Sequence, residues 1–161
     1  MTITPPIRRH PVLQPLSREH MSGLVQARSL AAAANEPPIE RRAALARFTS
    51  VWDEEIVEHF LDEERMLAPL LSTESMSRLL AEHRQLRLLA ERAIAQAMSA
   101  DPDADLMRVL GVALHDHIRW EEREAFGEAE DSATESDLAR LAEHAQRIER
   151  DRPGSRPRLR L

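Results

Sequence analysis

Cysteine is absent from the sequence, which excludes a disulfide framework, a thiolate metal site and a cysteine nucleophile; any metal has to be held by nitrogen and oxygen. Aromatic residues make up only 3 %, so a core has to be aliphatic, and four glycines against ten prolines supply few β-turns. The longest apolar run is Leu30 to Ala34, far short of a membrane span, and Met1 to His10 carries Pro and Arg where a signal peptide needs an apolar stretch. These absences predict a soluble, cytoplasmic, helical chain with no membrane partner. Lysine is also missing, so every basic residue is arginine.

What is present fits one domain. A length of 161 residues with 42 % hydrophobic content suffices for a single buried core. The net charge is −6, and Arg150, Arg152, Arg156, Arg158 and Arg160 against Asp151 put +4 in the last twelve residues, leaving −10 over residues 1–149. An acidic body argues against nucleic acid as a partner.

Proline and periodicity divide the chain. Residues 1–16 hold four prolines and no period, which reads as an extended segment with Leu13 and Leu16 over one end of the domain. A first helix is expected from Ser17, as N-cap, to about Ala34, with Leu24, Ala27 and Ala31 inward. A second runs from about Ile39 to Met66 on the stripe Leu45, Phe48, Trp52, Ile56, Phe60 and Leu67, and Pro69 ends it. A third starts near Ser72 or Thr73 with Met76, Leu79, Leu80, Leu86, Ala90, Ile94 and Ala97 inward. The fourth extends from about Asp103 to Phe126 with Leu106, Val109, Leu110, Ala113 and Leu114 inward, and Gly127 closes it. Ser132 with Glu135 gives capping-box spacing for a short helix within 127–150, and the Arg- and Pro-rich residues 151–161 read as disordered. Short links between four long helices make an all-α, antiparallel up-down-up-down bundle with a short extra C-terminal helix.

Four of the seven histidines lie on these inward stripes, one per long helix: His20, His59, His83 and His117. His59 and His117 are each followed four residues later by a glutamate, Glu63 and Glu121. An i, i+4 pair is offset by only about 40° round a helix, so imidazole and carboxylate point the same way from adjacent turns. Two carboxylates in an aliphatic interior are costly without a cation, and a pair of metal ions removes that cost. Carboxylates can bridge two metals while each imidazole terminates one, so four His and two Glu form a sensible ligand set for a dinuclear centre.

The segments Ser17 to His20, His59 to Glu63, Ala81 to His83 and His117 to Glu124, in that order and spacing, resemble the hemerythrin-like proteins with the HHE cation-binding domain. The resemblance covers roughly residues 10 to 126. It implies a non-haem, oxo- or hydroxo-bridged di-iron centre in which His20 and His59 terminate one iron, His83 and His117 the other, and Glu63 and Glu121 bridge them. The oxygen-carrying hemerythrins resemble a fuller pattern, with a second histidine four residues from the first on the third helix; here those positions are Leu79 and Arg87. Their last carboxylate follows its histidine by five residues, the spacing of Glu122. Helical geometry favours Glu121, and Glu122 stays open. A ferritin-like pattern wants Glu three residues before His, and Ile56, Leu80 and Leu114 stand there instead.

The missing imidazole leaves an open coordination position, which disfavours oxygen transport. The expected function is a di-iron protein that binds or senses oxygen, nitric oxide or peroxide. Two alternatives stand beside it: an enzyme of peroxide or nitric oxide detoxification, and a structural bundle with zinc or no metal. A homodimer is compatible with the sequence. His10, His115 and His144 are expected to be solvated, as are Glu58, Asp62, Glu64, Glu122 and Glu124, with Arg87 on the surface and Trp52, Phe60 and Trp120 in the core.

Overall fold

A computed structural model describes residues 8–152. After a 3₁₀ turn at Pro11–Leu13 come five helices: α1 over Gln14–Ala33; α2 through the consecutive stretches Pro38–Val51, Trp52–Ile56 and Val57–Leu67; α3 over Thr73–Ile94; α4 through Ala104–Trp120, Glu121–Ala125 and Phe126–Ser132; and α5 over Glu135–Asp151. No strand occurs among the described residues. The long helices α1 to α4 form the antiparallel four-helix bundle, with α1 lying close to both α2 and α4.

Local chemistry sets most of the helix starts. Ser72 accepts the Ser75 N–H to begin α3, Asp103 accepts from Asp105 and Leu106 to begin α4, and Pro38 opens α2 at a position where its missing N–H costs nothing. Three expected signals behave differently. Ser17 is not an N-cap: α1 begins at Gln14, so the segment expected to be extended over 1–16 is helical at its end. Gly127 does not close α4, which continues to Ser132, and the capping box of α5 is built by Thr134 and Asp137 rather than Ser132 and Glu135. The disordered tail expected over 151–161 lies outside the described residues from 153 onward; Asp151 still belongs to α5.

Both wide turns, Trp52–Ile56 and Glu121–Ala125, are π-helical. They answer to the sequence. Phe48, Trp52, Ile56 and Phe60 are spaced strictly by four, as are His117, Glu121, Ala125 and Ala129, and in a regular α-helix such a row drifts about 40° per step away from the core. One wide turn absorbs the drift, and all eight residues are buried.

The interior has two large apolar regions and a small third one formed by Leu79, Trp120 and Ala125. Of the large ones, one contains Phe48, Trp52, Ile56, Phe60, Leu86, Leu110, Leu114 and Ile118; the other gathers Leu13, Leu16, Met66, Leu67, Phe126, Leu141 and Ile148, so that α5 covers that end of the bundle. Leu80, Val109 and Ala97, expected inward, are exposed, and Ala31 is only half-buried. No described helix is long and apolar enough to cross a membrane.

At Gly111 the α1 and α4 backbones approach so closely that an added Cβ would stand 2.6 Å from the Ala27 carbonyl oxygen, whereas at Gly127 it would meet nothing within 4 Å. Gly111→Ala is therefore expected to destabilise the protein by about 1–3 kcal/mol, because backbone has to move. Gly127→Ala should stabilise it by roughly 0.5–1 kcal/mol through helix propensity. Thermal melts of the two variants check the pair.

Candidate metal centre

Between the two large apolar regions lies a polar layer. His20 on α1, His59 and Glu63 on α2, His83 on α3, and His117 and Glu121 on α4 are all buried. Their ligand atoms fall into two groups, His20, His59, Glu63 and Glu121 in one and His83, His117, Glu63 and Glu121 in the other, each within 4.8 Å of one another. The two glutamates belong to both. Glu63 Oε1 stands 2.9 Å from His59 Nε2 and 3.2 Å from His20 Nε2, while its Oε2 stands 3.4 Å from His83 Nε2. Glu121 does the converse: Oε1 is 3.1 Å from His117 Nε2 and 3.7 Å from His83 Nε2, and Oε2 is 3.2 Å from His20 Nε2.

The donor set fits a cation. His59 Nε2, His83 Nε2, His117 Nε2, Glu63 Oε2 and both Glu121 oxygens are buried with no hydrogen-bond partner. Buried polar atoms without partners cost free energy unless something ligates them. Every Nε2 points inward because every Nδ1 is engaged from outside: His20 with Glu122 at 2.6 Å, His59 with Glu19 at 2.7 Å, His83 with Glu64 at 2.8 Å and His117 with Glu82 at 2.7 Å. When Nδ1–H donates to a carboxylate, Nε2 keeps its lone pair for a metal.

These four acids form a closed relay round the bundle. An acid of α1 holds the histidine of α2, one of α2 that of α3, one of α3 that of α4, and one of α4 that of α1. Each is the immediate sequence neighbour of an inward residue, as in Glu19-His20, Glu63-Glu64, Glu82-His83 and Glu121-Glu122. Glu64 and Glu122 thus belong to the site rather than to a solvated face, and of the two candidates at the end of α4 it is Glu121 that faces the histidine Nε2 atoms while Glu122 supports His20. Glu19 and Glu82 complete the set. Ser17, inside α1, donates to Glu122 at 2.6 Å.

The hemerythrin family model, described as the hemerythrin HHE cation binding domain, matches residues 13–129. The chain belongs to this family. Neither the curated proteins nor the solved structures provide a match.

Within this hemerythrin HHE bundle the rings are fixed by packing as well as by charge. Phe60 stacks on His83 with centroids 3.9 Å apart, and Phe126 stacks on His20 at 5.2 Å. Leu79, one turn before His83, is fully buried against Trp120 and Ala125. Arg87, one turn after it, donates to Glu64 at 2.9 Å instead of lying free on the surface. Asp62, also expected to be solvated, is buried and paired with Arg147 and Arg152. His115 faces away beside Asp116, His10 accepts the Val12 N–H, and His144 sits beside Arg147. Glu58 and Glu124 are exposed as expected. A narrow cavity of about 10 Å³, lined by Gly23, Glu55, Ile56, Leu114 and Ile118 among others, adjoins His20 and His59.

Without a cation the site holds protons. Burial pushes the His59 imidazole down, but the adjacent Glu63 charge and the hydrogen bond to Glu19 outweigh it and raise it to about 9. His83 likewise resists its burial through Glu121, Glu63 and Glu64 and rises to about 10, while Glu63, despite burial, is held well below the usual carboxylate range by His59, His20 and His83. A raised folded value contributes stability that is complete below the ordinary imidazole value of 6.5 and is lost as pH climbs through the folded one. Metal-free protein prepared by chelation is therefore expected to melt at a lower temperature as pH rises through about 9 for His59 and about 10 for His83, relative to pH 6. Metal-loaded protein should lack that loss, because its imidazoles are already deprotonated. Melts of both forms across this range check the sign.

Proposed function

We propose that this chain binds two iron ions, bridged by Glu63 and Glu121 together with an oxo or hydroxo group, and uses the centre to bind or sense a small oxidant: oxygen, nitric oxide or peroxide. The observation that carries the reading is the pair of ligand groups that share both glutamates, each carboxylate offering one oxygen toward either side. His20 and His59 would hold one ion, His83 and His117 the other.

Charge supports a dinuclear occupant. Protonated, the four imidazoles of the two groups carry +4. Two divalent ions carry the same +4, as do two trivalent ions with an oxide between them, so loading exchanges protons for metal with no net change in buried charge. Two imidazoles and two carboxylate oxygens per ion would complete a tetrahedral zinc site, but they leave coordination positions free on iron. The cavity beside His20 and His59, about 10 Å³, has room for a molecule of water size next to the centre, which favours a small ligand there. Bound iron would supply the redox and ligand-binding chemistry. The chain's own residues keep each Nε2 free, surround the centre with apolar walls, and keep it from bulk water.

Protein purified from iron-supplemented cells should contain about two irons per chain, with a near-ultraviolet charge-transfer band of the kind bridged ferric centres give. Both should fall in His59→Ala and Glu121→Ala. Stoichiometric zinc, or a metal content unchanged in the variants, would overturn the reading. Mixing the reduced protein with oxygen, nitric oxide and hydrogen peroxide separately should change the spectrum with at least one of them. A single stoichiometric change marks a binding or sensing module, whereas sustained peroxide or nitric oxide consumption faster than by free iron marks a detoxifying enzyme.

A further inference from the structure

Behind each carboxylate of the relay stands an arginine, and the four arginines come from two different places. Arg78 and Arg87 lie on α3 and serve Glu82 and Glu64, which support His117 and His83. The other half is served from the chain ends. Arg152, directly after α5, donates through Nε to Glu19 Oε1 at 2.5 Å and through Nη2 to Glu19 Oε2 at 3.2 Å, and its Nη1 reaches Asp62 at 2.7 Å. Arg9, ahead of α1, donates through Nη2 to Glu122 Oε2 at 2.9 Å and to the Glu122 carbonyl at 2.7 Å, and through Nη1 to Glu130 at 3.2 Å. Its guanidinium also lies 5.0 Å over the Phe126 ring that stacks on His20. Both Arg9 and Arg152 fall outside the matched residues 13–129.

We propose that Arg9 and Arg152 are positioning residues for the His20 and His59 half of the centre, so that retention of the cation in that half depends on the two ends of the chain. The proposal rests on the two-iron reading above. Burial separates the two pairs of arginines. The side chains of Arg9 and Arg152 are 6 % and 14 % exposed, against 48 % for Arg78 and 38 % for Arg87. Water can replace an exposed guanidinium on its carboxylate, but it reaches a buried one poorly, and charge-assisted two-pronged pairs are strong where the local dielectric is low. Glu19 is itself buried, so losing Arg152 leaves that carboxylate with His59 as its remaining described partner. A carboxylate free to turn no longer fixes the imidazole it holds, and such outer partners commonly change metal affinity by roughly 10- to 100-fold.

The control is built into α5. Arg147 pairs with Asp62 at 3.0 Å and so fastens α5 to α2, yet it has no bond to Glu19. The test follows iron release from two-iron protein into excess chelator. Arg152→Ala and Arg9→Ala should each release one equivalent about tenfold faster than wild type while the second leaves at the wild-type rate. Arg152→Lys, which keeps the charge without the two-pronged grip, should speed the same equivalent less, and it carries the test if Arg152→Ala folds poorly. Arg147→Ala should release both equivalents as wild type does. Equal acceleration of both equivalents, no acceleration, or an Arg147→Ala effect as large as that of Arg152→Ala would overturn the proposal, because the termini would then act through general docking. Wild type that never holds two irons would overturn the two-iron reading first and this proposal with it.

Discussion

The hydrogen bond from a histidine Nδ1 to a carboxylate on the next helix is the interaction on which the interior of this bundle depends. Four of these bonds, between 2.6 and 2.8 Å, close a ring through α1, α2, α3 and α4. Each one ties two helices together at the level of the site, sets the direction of one Nε2, and offsets part of the charge that burial would otherwise penalise. Packing alone would not specify the ring: Leu, Ala and Phe side chains hold the helices in contact but say little about their mutual rotation. The four pairings add that information, because each couples one acid to one histidine of the next helix.

The polar layer also explains why the apolar core is split. Phe60 and Ile118 of one region and Phe126 of the other lie against the histidines, so both regions border the site. Helix α5 is needed for the second region: Leu141 and Ile148 cover an end of the bundle that would otherwise leave Leu13, Leu16 and Leu67 against water. Burying each such side chain is worth roughly 1.5–3 kcal/mol, and the same docking brings Arg147 and Arg152 to Asp62. Coverage of the core and support of the centre are thus two results of one helix.

The six inward ligand candidates were legible in the sequence because helical periodicity acts on the residues that face the axis, and the histidine and glutamate pairs at i, i+4 stand on that stripe. Their supporting acids sit one residue off it, about 100° round, on a flank that reads as solvated. In a four-helix bundle such a flank faces the neighbouring helix, so Glu19, Glu64, Glu82 and Glu122 meet imidazoles instead of water; the doublets they form with inward residues were the available signal. The strict four-residue rows through Trp52 and Glu121 carried the wide turns in the same way. Local signals failed where tertiary contacts claimed them. The Ser17 hydroxyl serves Glu122 rather than a helix end. Glu122 and Glu19, the carboxylates that Arg9 and Arg152 hold, lie more than a hundred residues away in sequence, beyond what any periodicity records.

The two halves of the site differ in what surrounds their histidines. On the His83 and His117 side Phe60 lies nearly parallel to the His83 ring with an interplanar angle of 8°, Leu79 is closed in by Trp120 and Ala125, and a groove of about 230 Å³ runs past His117. Around His20 and His59 the cavity persists because position 23 has no side chain; a Cβ there would come 2.7 Å from Ile118 Cδ1. On the two-iron reading each half would thus have space nearby, a narrow cavity kept by the glycine at position 23 beside His20 and His59, and a wider groove beside His117. What sets the His20 and His59 half apart is its support: the carboxylates behind these histidines, Glu122 and Glu19, are gripped by the more deeply buried arginines, Arg9 and Arg152. Rigid support and a confined space then coincide beside His20 and His59, which is the arrangement that pre-organised binding of a small molecule requires.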